Sequence, residues 1–269
     1  MDLLIAAITL PFVLAFGACI GSFLNVVIYR LPAGLSLIHP PSRCPQCEHP
    51  LGKTENVPVL GWLWLRGRCR WCRVPISVRY PSIEAATGIL FCFVFWQYQF
   101  TLLTVGYWVL ISWLVALSMI DFDTQELPNV LTKSGLVLGL IFQGVRGWQT
   151  AQTPEYLMTG ISSAVLGIWL FGLIRWTGSI LFQKEALGGG DSKLAAMLGA
   201  WLGWKYLLLT SFLACGIGAL FGVGAMLLGI LGRGQPFPFG PFLALGAILS
   251  LFWGQAIIST YIQTFFPLT

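Results

Sequence analysis

The sequence predicts an all-α polytopic membrane protein of about eight transmembrane helices, with a small polar insert between helices 1 and 2. Composition is the first reason. Of 269 residues, 57% are hydrophobic and only 9% are charged, whereas a soluble domain carries about 25% charged residues. The second reason is spacing. Charge-free runs of 27 residues lie between Asp2 and Arg30 and between Lys205 and Arg233, and runs of 36 residues lie between Glu84 and Asp121 and after Arg233. A spanning helix needs about 20 apolar residues. The third is the placement of the bases, which alternates along the chain as a membrane topology requires. Twenty-five charges cannot cover a water-soluble globule of this size, which excludes a cytosolic enzyme and a disordered chain. Seven cysteines are too sparse for a secreted disulfide scaffold.

Residues 1–30 form the first helix. No Lys or Arg precedes the apolar run, and the run exceeds the 7–15 residues typical of a signal-peptide core, so a permanent helix is expected. Residues 31–81 are the polar insert. The remaining membrane domain spans 82–269. Its 36-residue gap after Glu84 is too long for one span and breaks at Gln97-Tyr98-Gln99, giving helices two and three. Helices four to eight are expected near 129–146, 156–174, 192–204, 206–232 and 234 to the end.

With the N-terminus outside, thirteen of the fifteen bases fall in inner segments, and only Arg146 and Lys205 fall outside. The positive-inside rule then makes the insert cytoplasmic. The excess of bases also suits anionic lipid headgroups.

The insert carries Cys44-Pro-Gln-Cys47 and Cys69-Arg-Trp-Cys72, 21 residues apart. A two-residue spacer lets paired thiolates reach one tetrahedral Zn²⁺. Two disulfides or four free thiols are the other readings, and a reducing cytosol disfavours the former. A block of about 50 residues with few large aliphatics also needs a staple to fold. His39 and His49 are loop residues once four cysteines close the site. Cys19, Cys92 and Cys215 fall in apolar helices and are expected as small core residues. A basic knuckle can bind nucleic acid, but this one is tethered at both ends to membrane helices and its Arg residues follow topology, so no nucleic-acid partner is expected.

Most of the ten acids have ordinary explanations. Asp2, Glu48, Glu55 and Glu155 sit in polar segments or at a terminus, Glu185 in an inner loop, and Glu84 near the positive end of helix two. Asp123 and Glu126 are spaced as a capping box for the helix after Pro128. Asp121 and Asp191 remain. Asp121 ends an apolar helix, and Asp191 follows Gly188-Gly189-Gly190, where it suits an N-cap. By the topology above, both lie at the same membrane face. Ionisable residues there are costly and by default functional. Two facing carboxylates share one proton, so one acts as acid and the other as base on water. No Gly-x-Ser-x-Gly, His-Glu-x-x-His or Ser–His pair competes.

These pieces together resemble the type IV prepilin peptidases, membrane aspartyl proteases of the GxGD type. The matching segments are Gly21-Ser-Phe-Leu-Asn-Val-Val-Ile-Tyr-Arg30-Leu-Pro32, the paired CxxC block with Glu55-Asn-Val-Pro58, Arg79-Tyr-Pro81 with Glu84, and Ile120-Asp121-Phe-Asp123 leading to Leu127-Pro128. Gly188-Gly-Gly190-Asp191-Ser-Lys193-Leu with Gly199-Ala-Trp201, and Pro236-Phe-Pro-Phe-Gly240-Pro241, complete them. The resemblance implies cleavage of the leader of type IV prepilins or type II secretion pseudopilins at the cytoplasmic face of the bacterial inner membrane. It implies Asp121 and Asp191 as the catalytic pair, with Gly188 and Gly190 admitting the substrate backbone. It also implies S-adenosylmethionine-dependent N-methylation of the new N-terminus. That activity is expected where the four-Cys block is intact, with residues 31–81 as its region and Gly67 aligned with a glycine linked to methylation. Asn129 departs from the family, in which Asp often follows Leu-Pro. A transporter or a membrane scaffold with a zinc knuckle is the alternative. The former predicts acids near the midplane and an internal repeat, and the latter leaves the Asp pair unexplained.

Overall fold

The computed structural model describes residues 3–182, 188–230, 232 and 237–266. Asp2, Lys184, Glu185, Arg233 and Pro236, used above, lie outside them. The described helices are α1 (Leu3–Arg30), α2 (Leu60–Trp64), α3 (Arg79–Tyr98), α4 (Leu102–Thr124), α5 (Asn129–Gln149), α6 (Thr153–Phe182), α7 (Gly189–Leu202), α8 (Trp204–Leu227) and α9 (Gly240–Phe265). Setting aside the five-residue α2, eight helices stand where eight were expected. Five of them, α1, α4, α6, α8 and α9, are long and apolar enough to cross a membrane. The count of about eight crossings is therefore not matched by length and composition alone. α7 has 14 residues and reaches only about 21 Å, short of a hydrocarbon core of about 30 Å.

The long apolar gap divides as expected. α3 ends at Tyr98, Gln99 turns the chain with φ 52°, and α4 begins at Leu102. The chain forms two compact units, Met1–Ala116 and Leu117–Thr269, with the boundary inside α4.

In the first unit α1 lies against α3 at glycine contacts. A Cβ on Gly17 would come within 2.8 Å of the Gly88 backbone, and one on Gly21 within 2.7 Å of Glu84 Cα. No other residue lets two helix backbones come this close. Phe91 stacks on Trp108 with ring centroids 5.2 Å apart, and the Trp108 indole donates to the Phe91 carbonyl at 3.0 Å.

The second unit is organised around α7. Every residue from Leu194 to Trp201 is buried, the pattern of a helix enclosed on all sides. Gly167 and Gly199 let α6 and α7 meet backbone to backbone, at Ala195 and Ser163 respectively. The Trp201 indole donates to the Gly135 carbonyl at 2.8 Å, and Gln143 returns a bond to the Trp201 carbonyl at 3.2 Å. α8 and α9 are joined by a buried Thr210–Ser250 hydroxyl bond of 3.1 Å. Large apolar side chains such as Phe12, Trp169, Phe212 and Leu220 point outward, as lipid contact requires. Cys19 and Cys215 are corrected from core to exposed positions, and Cys92 is half-buried. Helix periodicity turns the first two onto the outer face, where a small thiol costs nothing in lipid.

Candidate functional site

The last turn of α4 carries Asp121. Its side chain is 5% exposed, beneath fully buried Leu117 and Ile120. The helix ends because Gln125 adopts φ 54° and returns its N–H to the Asp121 carbonyl at 2.8 Å. Asp123 and Glu126 are both exposed. The expected capping box is not formed. α4 runs through Thr124, which makes Asp123 helical. The Glu126 N–H is taken by Thr124 Oγ1 at 3.3 Å, and the N-cap of α5 is Pro128, whose carbonyl receives the N–H groups of Leu131 and Thr132.

Asp191 occupies the third position of α7 rather than the N-cap, which is Gly188. The Gly188 N–H donates to Asp191 Oδ2 at 3.2 Å and the Asp191 N–H to the Gly188 carbonyl at 3.3 Å. This reciprocal pair satisfies two of the groups that a helix start leaves free. Asp191 is 6% exposed. Around it the glycines serve separate purposes. A Cβ on Gly190 would press on Leu127 at 2.9 Å, so Gly190 admits the protein's own Leu127, whereas one on Gly188 would meet Asp191 Oδ2 at an ordinary 3.5 Å. Lys193 Nζ donates to Asn129 Oδ1 at 2.6 Å. Leu127 and Asn129 thus tie the loop after α4 to the start of α7.

Asp121 has a partner that sequence reasoning missed. The Gly240 N–H, at the start of α9, donates to Asp121 Oδ2 at 2.8 Å. A Cβ on Gly240 would lie 2.7 Å from the same oxygen. The sequence signal is the proline-flanked Phe239-Gly240-Pro241, where Pro241 pre-sets the first helical turn. Three helix ends therefore converge on one carboxylate pair. Asp191 lies in the first turn of α7, outside the five candidate spans. Burial first, and the neighbouring Asp121 charge second, push its carboxyl up to about 7 against the opposing Gly188 N–H. Near neutral pH the Asp191 carboxyl is therefore partly protonated.

In the first unit, the four insert cysteines form one cluster whose Sγ atoms all lie within 4.8 Å of one another. They sit on two knuckles of the same build. Antiparallel bridges pair Arg43 with Pro50 and Arg68 with Pro75. Cys44 and Cys69 accept the N–H groups of Glu48 and Arg73, and both of those donors adopt positive φ. The Cys44–Cys72 and Cys47–Cys69 separations are 3.7 and 3.9 Å. With metal–sulfur bonds of about 2.3 Å, a tetrahedron has edges of about 3.8 Å, so the cluster fits one metal ion. The Cys47 and Gln46 N–H groups outweigh burial and lower the Cys44 thiol to about 7. At Cys47 the His49 N–H is overcome by burial and three neighbouring thiols, which raise it to about 12. Gly67 holds φ +67°, and a Cβ there would strike the Trp62 ring at 2.6 Å.

Residues 15–98 match the family model of the bacterial peptidase A24 N-terminal domain, and residues 108–223 match that of the type IV leader peptidase family. The prepilin leader peptidase/N-methyltransferase of Stutzerimonas stutzeri is 38% identical over 93% of this chain and 92% of its own length. Its namesake in Aeromonas salmonicida is 39% identical over 94% and 93%, and that of Pseudomonas aeruginosa 37% over 96% of each. No solved structure gives a significant match. Both halves of the chain and nearly its whole length are covered, and the chain belongs to the type IV leader peptidase family.

Proposed function

We propose that the protein is a membrane aspartyl endopeptidase that removes the leader of type IV prepilins or type II secretion pseudopilins, and that N-methylates the new N-terminus with S-adenosylmethionine. The observation that carries the peptidase reading is the buried Asp121–Asp191 pair at the meeting of α4, α7 and α9. The raised Asp191 carboxyl suits it to hold the shared proton and donate it to the scissile carbonyl. Asp121, receiving the Gly240 N–H, is the base that takes a proton from the attacking water. The tetrahedral intermediate collapses when the leaving amine receives a proton and the C–N bond breaks. Gly188, exposed and with only ordinary contacts over its α-carbon, is where an extended substrate backbone comes closest, and Gly190 sets the distance between α7 and Leu127.

The four cysteines hold structural zinc, a reading supported by the tetrahedral spacing of their sulfurs. The methyl-transfer activity belongs to residues 31–81 and their flanking helices. The chain lies in the bacterial inner membrane with its N-terminus outside and the insert cytoplasmic, on the distribution of its bases.

Cleavage of a prepilin in proteoliposomes tests the carboxylate assignment. Asp121→Ala or Asp191→Ala abolishes processing, and Asp123→Ala retains it. An inactive Asp123→Ala beside an active Asp121→Ala refutes the assignment.

A further inference from the structure

Between the C-terminal end of α1, the start of α3 and the cysteine insert, the first unit forms a half-open cavity of about 760 Å³. That is the size of a small-molecule or cofactor site. Glu84 lines it where the charge-free stretch of α3 begins. Its Cα is held against Gly21 of α1, so the carboxylate has a fixed base. The Val59 N–H donates to it at 2.6 Å; burial raises its carboxyl above the ordinary range, opposed by that N–H and by the neighbouring Ser22 and Asn25 side chains. Asn25 is itself anchored to the Tyr80 carbonyl at 3.1 Å. Of the arginines that line the same cavity, Arg43 pairs with Glu48, Arg70 pairs with Glu55, and Arg30 donates to the Ser36 and Pro40 carbonyls; among the described residues none of them forms an ion pair with Glu84. A carboxylate has about four acceptor sites, so acceptor capacity remains for a group in the cavity. An anion that is pre-ordered by neutral donors and bordered by a cavity is a receptor for a cation.

We propose that Glu84 binds the α-ammonium of the cleaved substrate and removes its proton for methylation. This rests on the methyltransferase reading above and names the residue that carries it. The depth is what selects this cation. Cleavage of a peptide bond leaves a new N-terminal amine, and Glu84 lies where the apolar α1–α3 pair meets the polar insert. Proton transfer from the ammonium to the Glu84 carboxylate frees the nitrogen lone pair. The amine nitrogen then bonds to the methyl carbon of the bound sulfonium donor as the C–S bond breaks and its electron pair stays on sulfur. The product is a secondary ammonium, and the proton leaves Glu84 to solvent. Trp62 forms part of the cavity wall and is seated against Gly67, with its indole bonded to the Ile76 carbonyl at 3.0 Å.

The test is Glu84→Gln in the full-length protein, which keeps an acceptor for the Val59 N–H. Cleavage and N-methylation of one prepilin are followed by mass spectrometry, and S-adenosylhomocysteine binding is measured by calorimetry. Cleavage and binding are expected to stay within about threefold of wild type, while methylation at pH 7 falls by about 100-fold or more. Methylation by the variant then recovers as pH rises through the amine's own pKa of about 7.7–8.0. Unchanged methylation overturns the proposal. So does a joint loss of cleavage and methylation, which would make Glu84 a structural tie, and so does loss of S-adenosylhomocysteine binding, which would place the donor on Glu84. A wild-type enzyme that cleaves and neither methylates nor binds S-adenosylhomocysteine refutes the methyltransferase reading itself.

Discussion

Replacing Gly240 with Ala probes the carboxylate pair without touching either carboxylate. The new methyl group would sit 2.7 Å from Asp121 Oδ2, about 0.7 Å inside ordinary contact, which begins near 3.4 Å. The α9 backbone at this point is tied into a helical turn, and its N–H is bonded to the same oxygen. The short Asp121 side chain therefore has to move, and it is buried with little room to do so. A displacement approaching 1 Å in a catalytic group costs up to about 100-fold in rate, so a fall of about 10- to 100-fold in kcat is expected. Alanine is the better helix former by about 0.8–1.0 kcal/mol in a helix interior, so α9 itself is not weakened. The assay is the initial rate of prepilin cleavage at saturating substrate, with thermal unfolding measured on the same preparation. Cleavage within twofold of wild type, with the melting temperature unchanged, refutes the claim that Gly240 sets the position of Asp121.

Further outcomes follow from the same geometry. A carboxyl raised from 3.8 to about 7 in the folded protein destabilises the fold once pH exceeds the unfolded value. The cost grows through that window to roughly 4 kcal/mol above pH 7. Asp191→Asn should therefore raise the melting temperature at pH 8 and leave it nearly unchanged at pH 4; equal effects at both would contradict the buried-acid account. Elemental analysis of purified protein should find about one zinc per chain and well under one in Cys69→Ser, whereas a metal-free wild type would refute the zinc centre. A Cβ on Gly199 collides with the Ser163 carbonyl, so Gly199→Val should destabilise the second unit by about 1–3 kcal/mol, read by thermal unfolding.

Much of this molecule was legible before any coordinates. Helix positions followed from gaps between charges, because a charged side chain in hydrocarbon is costly enough to mark every boundary. The break at Gln97–Gln99 was visible because the charge-free gap is too long for one span and turns polar there, and the paired CxxC spacing announced the cysteine cluster. Reading failed where the signal was local and the outcome was not. Asp123 and Glu126 have the spacing of a capping box, yet α4 continues through Asp123 and α5 starts on Pro128. Glu84 looked like a helix-end acid and is instead held by Val59, 25 residues upstream. Gly190 looked like room for a substrate and is filled by Leu127.

The sequence by itself determined that the chain is helical and lipid-facing, which segments are polar, and which carboxylates ordinary chemistry leaves unexplained. Those properties depend on composition and on spacing along one strand of chain. Only the tertiary structure decided that Gly240, 119 residues from Asp121, donates to it, and that Glu84 is held by the Val59 N–H where it faces a cavity. Both facts depend on helix ends meeting in space. Where those ends meet is set by the glycine-mediated packing of Gly21 on α3 and Gly199 on α6, which no periodicity encodes.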